Sequence, residues 1–417
     1  MKTAVIVAGC ESYRTADFLA AASLLRLATV VATDTPAPID GTAGYVEVDF
    51  ADPVEAAARI VVAVPDAAAV IAVDDEGVHT AALAAEALQL PHNPSEAVIV
   101  TKDKLAMRRL MASAGIAQPR FAEAGVGDVP EVAAHIGFPV VVKPVGLSAS
   151  RGVIRVNGAV DAPPAEFRIR KILAAAHRHP SEPLLVEQYV PGVELAIEGI
   201  LVDGDVTVLA VIDKPDPLEG PFFEETMFVT PSRHSPHLQE AAVALAGDAA
   251  RALGLRVGPM HAEVRMSPDG SVQLVEIAAR SIGGLCGRSL SFGLLGESLE
   301  VVVLRSALGT SNSDSGLGQP ATGVLMVPIP ASGIFTGVEN IEQAKAITGI
   351  DEVDITVMKG RPVQALPEGD RYLGFVFASG ATPDAVEDAL RQAAATMIVT
   401  IDGEEVASDG IAATTRQ

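Results

Sequence analysis

The chain has little cysteine, little positive charge and no long apolar run. Cys10 and Cys286 are the only cysteines in 417 residues. Two thiols so far apart form neither a disulfide framework nor a zinc cluster, which points to a reducing cytoplasmic setting. Cys286 could act as a nucleophile, but a buried incidental thiol explains it as simply. Lys and Arg number 30 against 53 Asp and Glu, a net charge of -23. Such a chain lacks the basic footprint of a nucleic-acid or anionic-membrane surface. No apolar run approaches the roughly 20 residues of a spanning helix. The start, Met1 to Ala8, is too short for a signal segment before Glu11 and Arg14. The first apolar run is not followed by G-x-G-x-x-G, and no Gly-Lys-Ser/Thr opens a helix. A nicotinamide dinucleotide site and a Walker A loop are therefore not expected.

What the chain does contain is 49% hydrophobic and 20% charged residues, the profile of a soluble globular protein with two or three domains. Residues 1–94 alternate short apolar strands (3–8, 29–33, 44–49, 70–73) with Ala-rich helices (16–26, 53–63, 77–88). That alternation predicts a doubly wound parallel sheet, whose ligands gather at the carboxyl ends of the strands. Asp74-Asp75-Glu76 ends one such strand and fits either a substrate contact or a helix cap. Pro91-His92-Asn93-Pro94 marks a boundary, and a helix over 95–114 carries Lys102, Lys104, Arg108 and Arg109. That basic face is either solvated or turned to a phosphate.

In Val140-Val141-Val142-Lys143 a single charge sits inside an apolar strand, where lysine needs a partner. Gly146 to Gly152 follows at once, with Ser148 and Ser150 between the glycines. Its N–H groups can cradle phosphate oxygens, although such a loop alone is often only a turn. Residues 157–166 predict a loop and 167–179 a helix. An antiparallel meander then runs through 184–190, 194–199 and 205–212. Residues 214–231 read as one long loop, and long loops in compact domains are often functional. A helix over 237–253 leads into His261 to Gly284.

Asp269-Gly270 is a hairpin turn with alternating runs on either side. Centring the turn there sets Glu263 opposite Glu276 on one face of the pair. Like charges so placed repel unless something binds them, and a divalent cation with oxygen ligands is the obvious candidate. Alone, the pair also fits an exposed hairpin with two solvated glutamates. His261 shares that face as a substrate contact or a salt-bridge partner. Arg288 suits a substrate carboxylate or a structural ion pair, and Glu225 a substrate or solvent. Residues 310–316 look like a linker. The remainder predicts a small α+β domain with strands at 323–329, 353–358, 373–379 and 397–402, and no catalytic constellation.

Lys104, Lys143 with its Gly/Ser loop, Glu187-Gln188-Tyr189-Val190 with Glu194, and Glu263 and Glu276 with Arg280 follow one another in an order that resembles the ATP-grasp ligases. More narrowly, Pro221-Phe222-Phe223-Glu224-Glu225-Thr226 and Glu276-Ile277-Ala278-Ala279-Arg280 with Gly283-Gly284 resemble the L-amino-acid ligases, which join amino acids into dipeptides. The resemblance implies three parts: an N-terminal α/β domain over 1–94, an ATP-grasp domain over 95–309 and a C-terminal α+β domain over 310–417. It also implies ATP held at its phosphates by Lys104 and Lys143 under Ser148, Ser150 and Gly152. Glu187, Gln188 and Val190 would line the adenine pocket, and Glu194 would bind the ribose. Glu263 and Glu276 would hold Mg²⁺, with Mn²⁺ as a substitute. Arg280 would face the reacting carboxylate and the transferred phosphoryl. Apart from the resemblance, His261 is a second candidate catalytic residue, and Glu225, Gly284 and Arg288 are candidate substrate contacts. The implied partners are a small-molecule carboxylate and amine, and the implied assembly is a homodimer. Many ATP-grasp enzymes carry Asn two residues after the second metal glutamate; here Ala278 stands there. The alternatives are another acyl-phosphate enzyme of purine-pathway or carboxylase type, or a non-catalytic nucleotide-binding regulator.

Overall fold

The computed structural model describes residues 1–35, 41–291, 296–310 and 320–406. Beyond Thr310, the linker expected over 310–316 lies outside them. The strand Thr3–Val7 is central in a four-stranded parallel sheet, flanked by Ala28–Thr33, then Gly44–Glu47, on one side and by Ala69–Ala72 on the other. Successive side chains of a strand point to opposite faces. Ala4 and Ile6 accordingly pack with Phe18 and Leu19 of the helix Thr15–Leu24. Val5 and Val7 pack with Ala56 and Ile60 of Pro53–Ala63 and with Ala84 of Val78–Ala87. Both faces are covered, which is why the strand is apolar throughout.

A second, antiparallel sheet has the order Phe121–Ala124, Leu184–Gln188, Val140–Pro144, Ile154–Val156. The helices Val129–Ile136 and Ala162–Ala175 pack on it. Pro163 and Pro164, expected in a loop, lie in the first turn of the second helix. The N–H groups of a first turn have no intrahelical acceptor, so proline, which lacks one, fits there. The single helix expected over 95–114 is two, Ser95–Lys102 and Lys104–Ser113. Asp103 breaks it: its Oδ1 accepts the Ala106 N–H at 2.8 Å and caps the second helix.

The third sheet has eight strands in the order Val272–Ala278, Gly258–Met266, Val193–Val202, Asp205–Asp213, Met227–Thr230, Ala321–Val327, Gly374–Gly380, Ile350–Ile355. Met227–Thr230, expected inside the long loop, is a strand and shortens that loop to 214–226. It pairs with Ala321–Val327, so the C-terminal part extends the central sheet instead of standing apart. The cause is the backbone itself, since a buried strand edge needs partners for its N–H and C=O groups. One face of this sheet packs on the helix Pro236–Leu253 and the other on Leu299–Ala307. A small sheet of Pro362–Val363, Gly333–Glu339, Ile398–Ile401 and Glu404–Val406 completes the C-terminal part.

Candidate active site

The three parts meet around one cavity of about 490 Å³. The Asp269-Gly270 hairpin forms its floor. Asp269 accepts the Ser271 N–H at 3.0 Å, and Gly270 takes φ +85°. In the ladder His261 pairs with Ala278 and Glu263 with Glu276, the pairing expected, but the pairs nearer the turn, Val264–Leu274 to Met266–Val272, are one residue out of the register expected from a turn at Asp269-Gly270. Beyond that pair Val264 faces Leu274, so Val275 is an extra, bulged residue. The bulge turns the Val275 carbonyl to Arg108 Nη2 at 2.6 Å.

The two glutamates are held by different lysines. Glu276 accepts from Lys104 Nζ at 3.3 Å, and the same ammonium donates to the Leu147 carbonyl at 2.7 Å. Glu263 accepts from Lys214 Nζ at 2.9 Å. Lys214 also donates to Glu194 at 2.6 Å and to Glu225. Burial opposes its charge, but Glu194, Glu225 and Glu263 overcome this and raise its pKa well above the usual lysine value. Oxygen ligands of Glu194, Glu225 and Glu263 lie within 4.8 Å of one another. With Glu276 opposite, the donors are all hard oxygens of the kind Mg²⁺ takes, so the residues present fit such an ion. His261 stands between Glu198, 3.0 Å from Nδ1, and Glu263, 3.6 Å from Nε2. Burial lowers its pKa, yet hydrogen bonds to both carboxylates outweigh that and raise it to about 9. Glu225 is pushed up to about 7 by burial and, against the pull of Lys214, by the Glu263 charge.

Arg280 crosses to the N-terminal domain. Its Nε and Nη2 donate to the two oxygens of Asp75 at 2.7 and 2.9 Å, and its Nη1 donates to the Ser281 carbonyl at 3.0 Å. Asp75 therefore orients the guanidinium. The helix cap expected as one role for Asp74-Asp75-Glu76 is not made: no side chain caps Val78–Ala87, and the three acids line the cavity.

At the opposite end lie Lys143 and the 146–152 loop. Lys143 pairs with buried Glu187 at 2.6 Å, and Glu187 also takes Arg108 Nε. The Glu187 side chain is thus committed to cations, which differs from the adenine contact implied for it. Its neighbours Gln188 and Val190 line the cavity, as does Glu194. Val141, Val153, Leu218 and Phe223 add an apolar wall. Ser148 and Ser150 also line the cavity. Gly152 donates its N–H to the Pro367 carbonyl at 2.8 Å. At φ +74° this glycine lies against Pro144, with no room for a side chain.

Arg288 does not join these residues. Its guanidinium pairs with Asp17 at 2.8 Å and Asp354 at 2.9 Å, away from the cavity, so of its two readings the structural one holds. Nearby Gly284 does line it; there φ is +62°, and a Cβ would meet the Phe375 ring at 2.9 Å. Of the further charged residues at the site, only Glu198 is a lone charge in an apolar run, the signal that singled out Lys143. Sequence reasoning missed it and Lys214, and read Arg108 only as part of a basic helix face. It also missed the C-terminal part, which contributes Asp370, Arg371 and Tyr372 to the cavity wall.

The ATP-grasp domain family model matches residues 136–289. A second, the L-amino acid ligase C-terminal domain 2, matches residues 325–402. The chain is 27% identical over 310 residues to the uncharacterized protein y4rH of Sinorhizobium fredii, covering 73% of this chain and 62% of that one. It is 29% identical over 211 residues to the D-alanine–D-alanine ligase of Aromatoleum aromaticum, covering 49% and 64%. The chain thus spans less than two thirds of the length of these curated relatives. Among solved structures, the L-amino acid ligase of Bacillus licheniformis superposes with a TM-score of 0.79 at 24% identity, covering 96% of this chain and 99% of that one. Residues 136–289 thus carry an ATP-grasp domain. Residues 325–402 are similar to a C-terminal domain of the L-amino acid ligases. No helix among the described residues is long and apolar enough to cross a membrane.

Proposed function

We propose that this protein is an ATP-dependent ligase that joins a carboxylate, of an amino acid, to an amine. The observation that carries the reading is the ladder pairing of Glu263 with Glu276 beside Lys104, Lys143 and Arg280 in one cavity. A carboxylate does not react with an amine at neutral pH because oxide is a poor leaving group. A carboxylate oxygen first attacks the γ-phosphorus of ATP, and the bond to the β,γ-bridging oxygen breaks to release ADP. The amine nitrogen then attacks the acyl carbon, phosphate leaves, and the nitrogen loses a proton. Positioning and charge stabilisation do most of this work.

In this reading Lys104 and Lys143 bind the phosphates, with Ser148, Ser150 and Gly152 closing over them. Gln188 and Val190 hold the base and Glu194 the ribose. Glu263 and Glu276 hold Mg²⁺, or Mn²⁺ in its place, which supplies charge neutralisation on the phosphate oxygens. Arg280, oriented by Asp75, meets the carboxylate and the transferred phosphoryl. Lys214, shared by Glu194, Glu225 and Glu263, supplies positive charge beside these carboxylates. His261 keeps Glu263 in place, and Glu225 faces the substrate amine. The homodimer and the cytoplasmic setting complete the proposal.

The purine-pathway and carboxylase alternatives are disfavoured by the C-terminal domain match, and a silent regulator has no need of the paired glutamates. A screen of amino-acid pairs for ADP release, with mass spectrometry of product, tests the reading. ADP release that depends on a second amino acid supports it. ATP binding without turnover for any pair defeats it.

A further inference from the structure

We propose that Arg371 is the residue that binds the carboxylate of the amine-bearing substrate and so sets the preference for an acid over its amide at that position. This rests on the ligase reading above. Past Arg280 the cavity continues between the N-terminal segment 9–14 and the C-terminal segment 370–372. Asp74, Asp75 and Glu76 make that half acidic, so an anion entering it needs a dedicated cation.

Three arginines line this half. Arg14 is buried and spent, its Nη1 on the Val73 carbonyl at 2.6 Å and its Nη2 on Ser281 Oγ at 2.7 Å. Arg280 has given its Nε–Nη2 edge to Asp75. Arg371 alone of the three is loosely held, with Nη1 3.3 Å from Glu11 and Nε 3.4 Å from Asp370. Its side chain is 46% exposed. Among the described residues no carboxylate engages it through two N–H groups, the arrangement that suits guanidinium best. An incoming carboxylate can take that fork.

The position of Arg371 gives this contact a consequence. Pro367, Glu368 and Asp370 bind Gly152, Arg168 and Arg151 respectively, the last two pairs at 2.6 and 3.3 Å. The acceptor is thus captured on the segment that is stitched to the phosphate loop. Its arrival and the closure over the acyl phosphate are mechanically joined.

The test compares a free amino-acid acceptor with its carboxamide in the wild-type protein and in Arg371→Gln. The wild type is expected to favour the free acid by roughly 10- to 100-fold in kcat/KM, the range for a charge-assisted pair. In Arg371→Gln the ratio falls to about 1 through the acceptor KM. The ATP KM stays put. An unchanged ratio in Arg371→Gln, or a wild type that uses the amide as well as the acid, overturns the proposal. Should Arg371→Gln fail to fold, Arg371→Lys is read by the same ratio: a fall supports the proposal and no change overturns it. A wild type that binds ATP but turns over no amino-acid pair defeats the ligase reading itself, and the proposal with it.

Discussion

Glu263 and Glu276 face each other across the hairpin, yet each is neutralised by a lysine from a different element. Lys104 opens a helix and Lys214 ends a strand–loop junction. A pair built this way has a cation beside each carboxylate before any ligand arrives. Glu276→Ala is expected to lower turnover by at least ~10²–10³-fold while leaving the circular dichroism spectrum and melting temperature near wild type. Turnover at the wild-type rate in that variant removes the cation-site assignment. Glu187 plays a different part. Burial opposes its charge, but Arg108 and Lys143 hold its carboxyl down to about 2, from an ordinary 4.5. The folded value lies below the unfolded one, so the stabilisation is complete above about pH 4.5 and is lost as pH falls toward 2. It should amount to about 3 kcal/mol. Denaturant midpoints taken between about pH 5 and pH 3 should fall less steeply in Glu187→Gln than in the wild type. Equal slopes would detach Glu187 from acid sensitivity.

At the scale of elements, the phosphate loop is the informative one. Its own glycines and serines supply N–H groups, but its neighbourhood is fastened from outside. Arg168, on the helix Ala162–Ala175, pairs with Glu368 through Nε at 2.6 Å and Nη2 at 2.8 Å. The same guanidinium lies 4.9 Å from the Phe222 ring centroid. This clasp joins the helix beneath the loop to both the 214–226 loop and the C-terminal segment. Both partners are well exposed, so the effect on stability is small. On the proposed ligase reading the effect on coupling is larger, because a lid that opens early would admit water to the acyl phosphate. Arg168→Ala should raise ADP released per product formed from near one to roughly two or more. A stoichiometry that stays at one would show that the clasp does not govern closure.

For the whole molecule, the decisive feature is that the eight-stranded sheet runs through the 310 boundary. Met227–Thr230 pairs with Ala321–Val327 on one side and meets Asp205–Asp213 on the other. Met227 and Val229 belong to the same core as Leu325, Val376 and Leu390. A chain ending before Ala321 leaves that strand edge unpaired and its apolar side chains bare. Such a truncation should be aggregated by size-exclusion chromatography. A soluble truncated chain that binds ATP would make the C-terminal part an independent unit. Ion pairs reinforce the same assembly, since Arg288 reaches Asp17 and Asp354 at once, and Arg280 reaches Asp75.

The amino-acid order by itself determined whatever depends on near neighbours. The Asp269-Gly270 turn predicted Glu263 opposite Glu276, although the pairs next to the turn are one residue out and the Val275 bulge restores the register only at the glutamates. Alternating apolar runs gave the N-terminal sheet, and a lysine inside a strand marked Lys143 as paired. The order of glutamates, lysines and Gly/Ser loop was enough to point to ATP-grasp chemistry. Contacts between distant segments were left to the tertiary structure. Lys214 meets Glu263 across 49 positions and Arg280 meets Asp75 across 205. Local spacing carries no trace of such pairs. Arg288 lies near Arg280 in sequence but points elsewhere, since Asp17 and Asp354 supply the nearer charges. Ala278 stands where a third ligand is common, and Glu194 and Glu225 are brought within 4.8 Å of Glu263 from other strands and loops. The proposed metal clamp thus has its two glutamates legible in sequence, whereas their counter-charges and the neighbouring carboxylates come together only on folding.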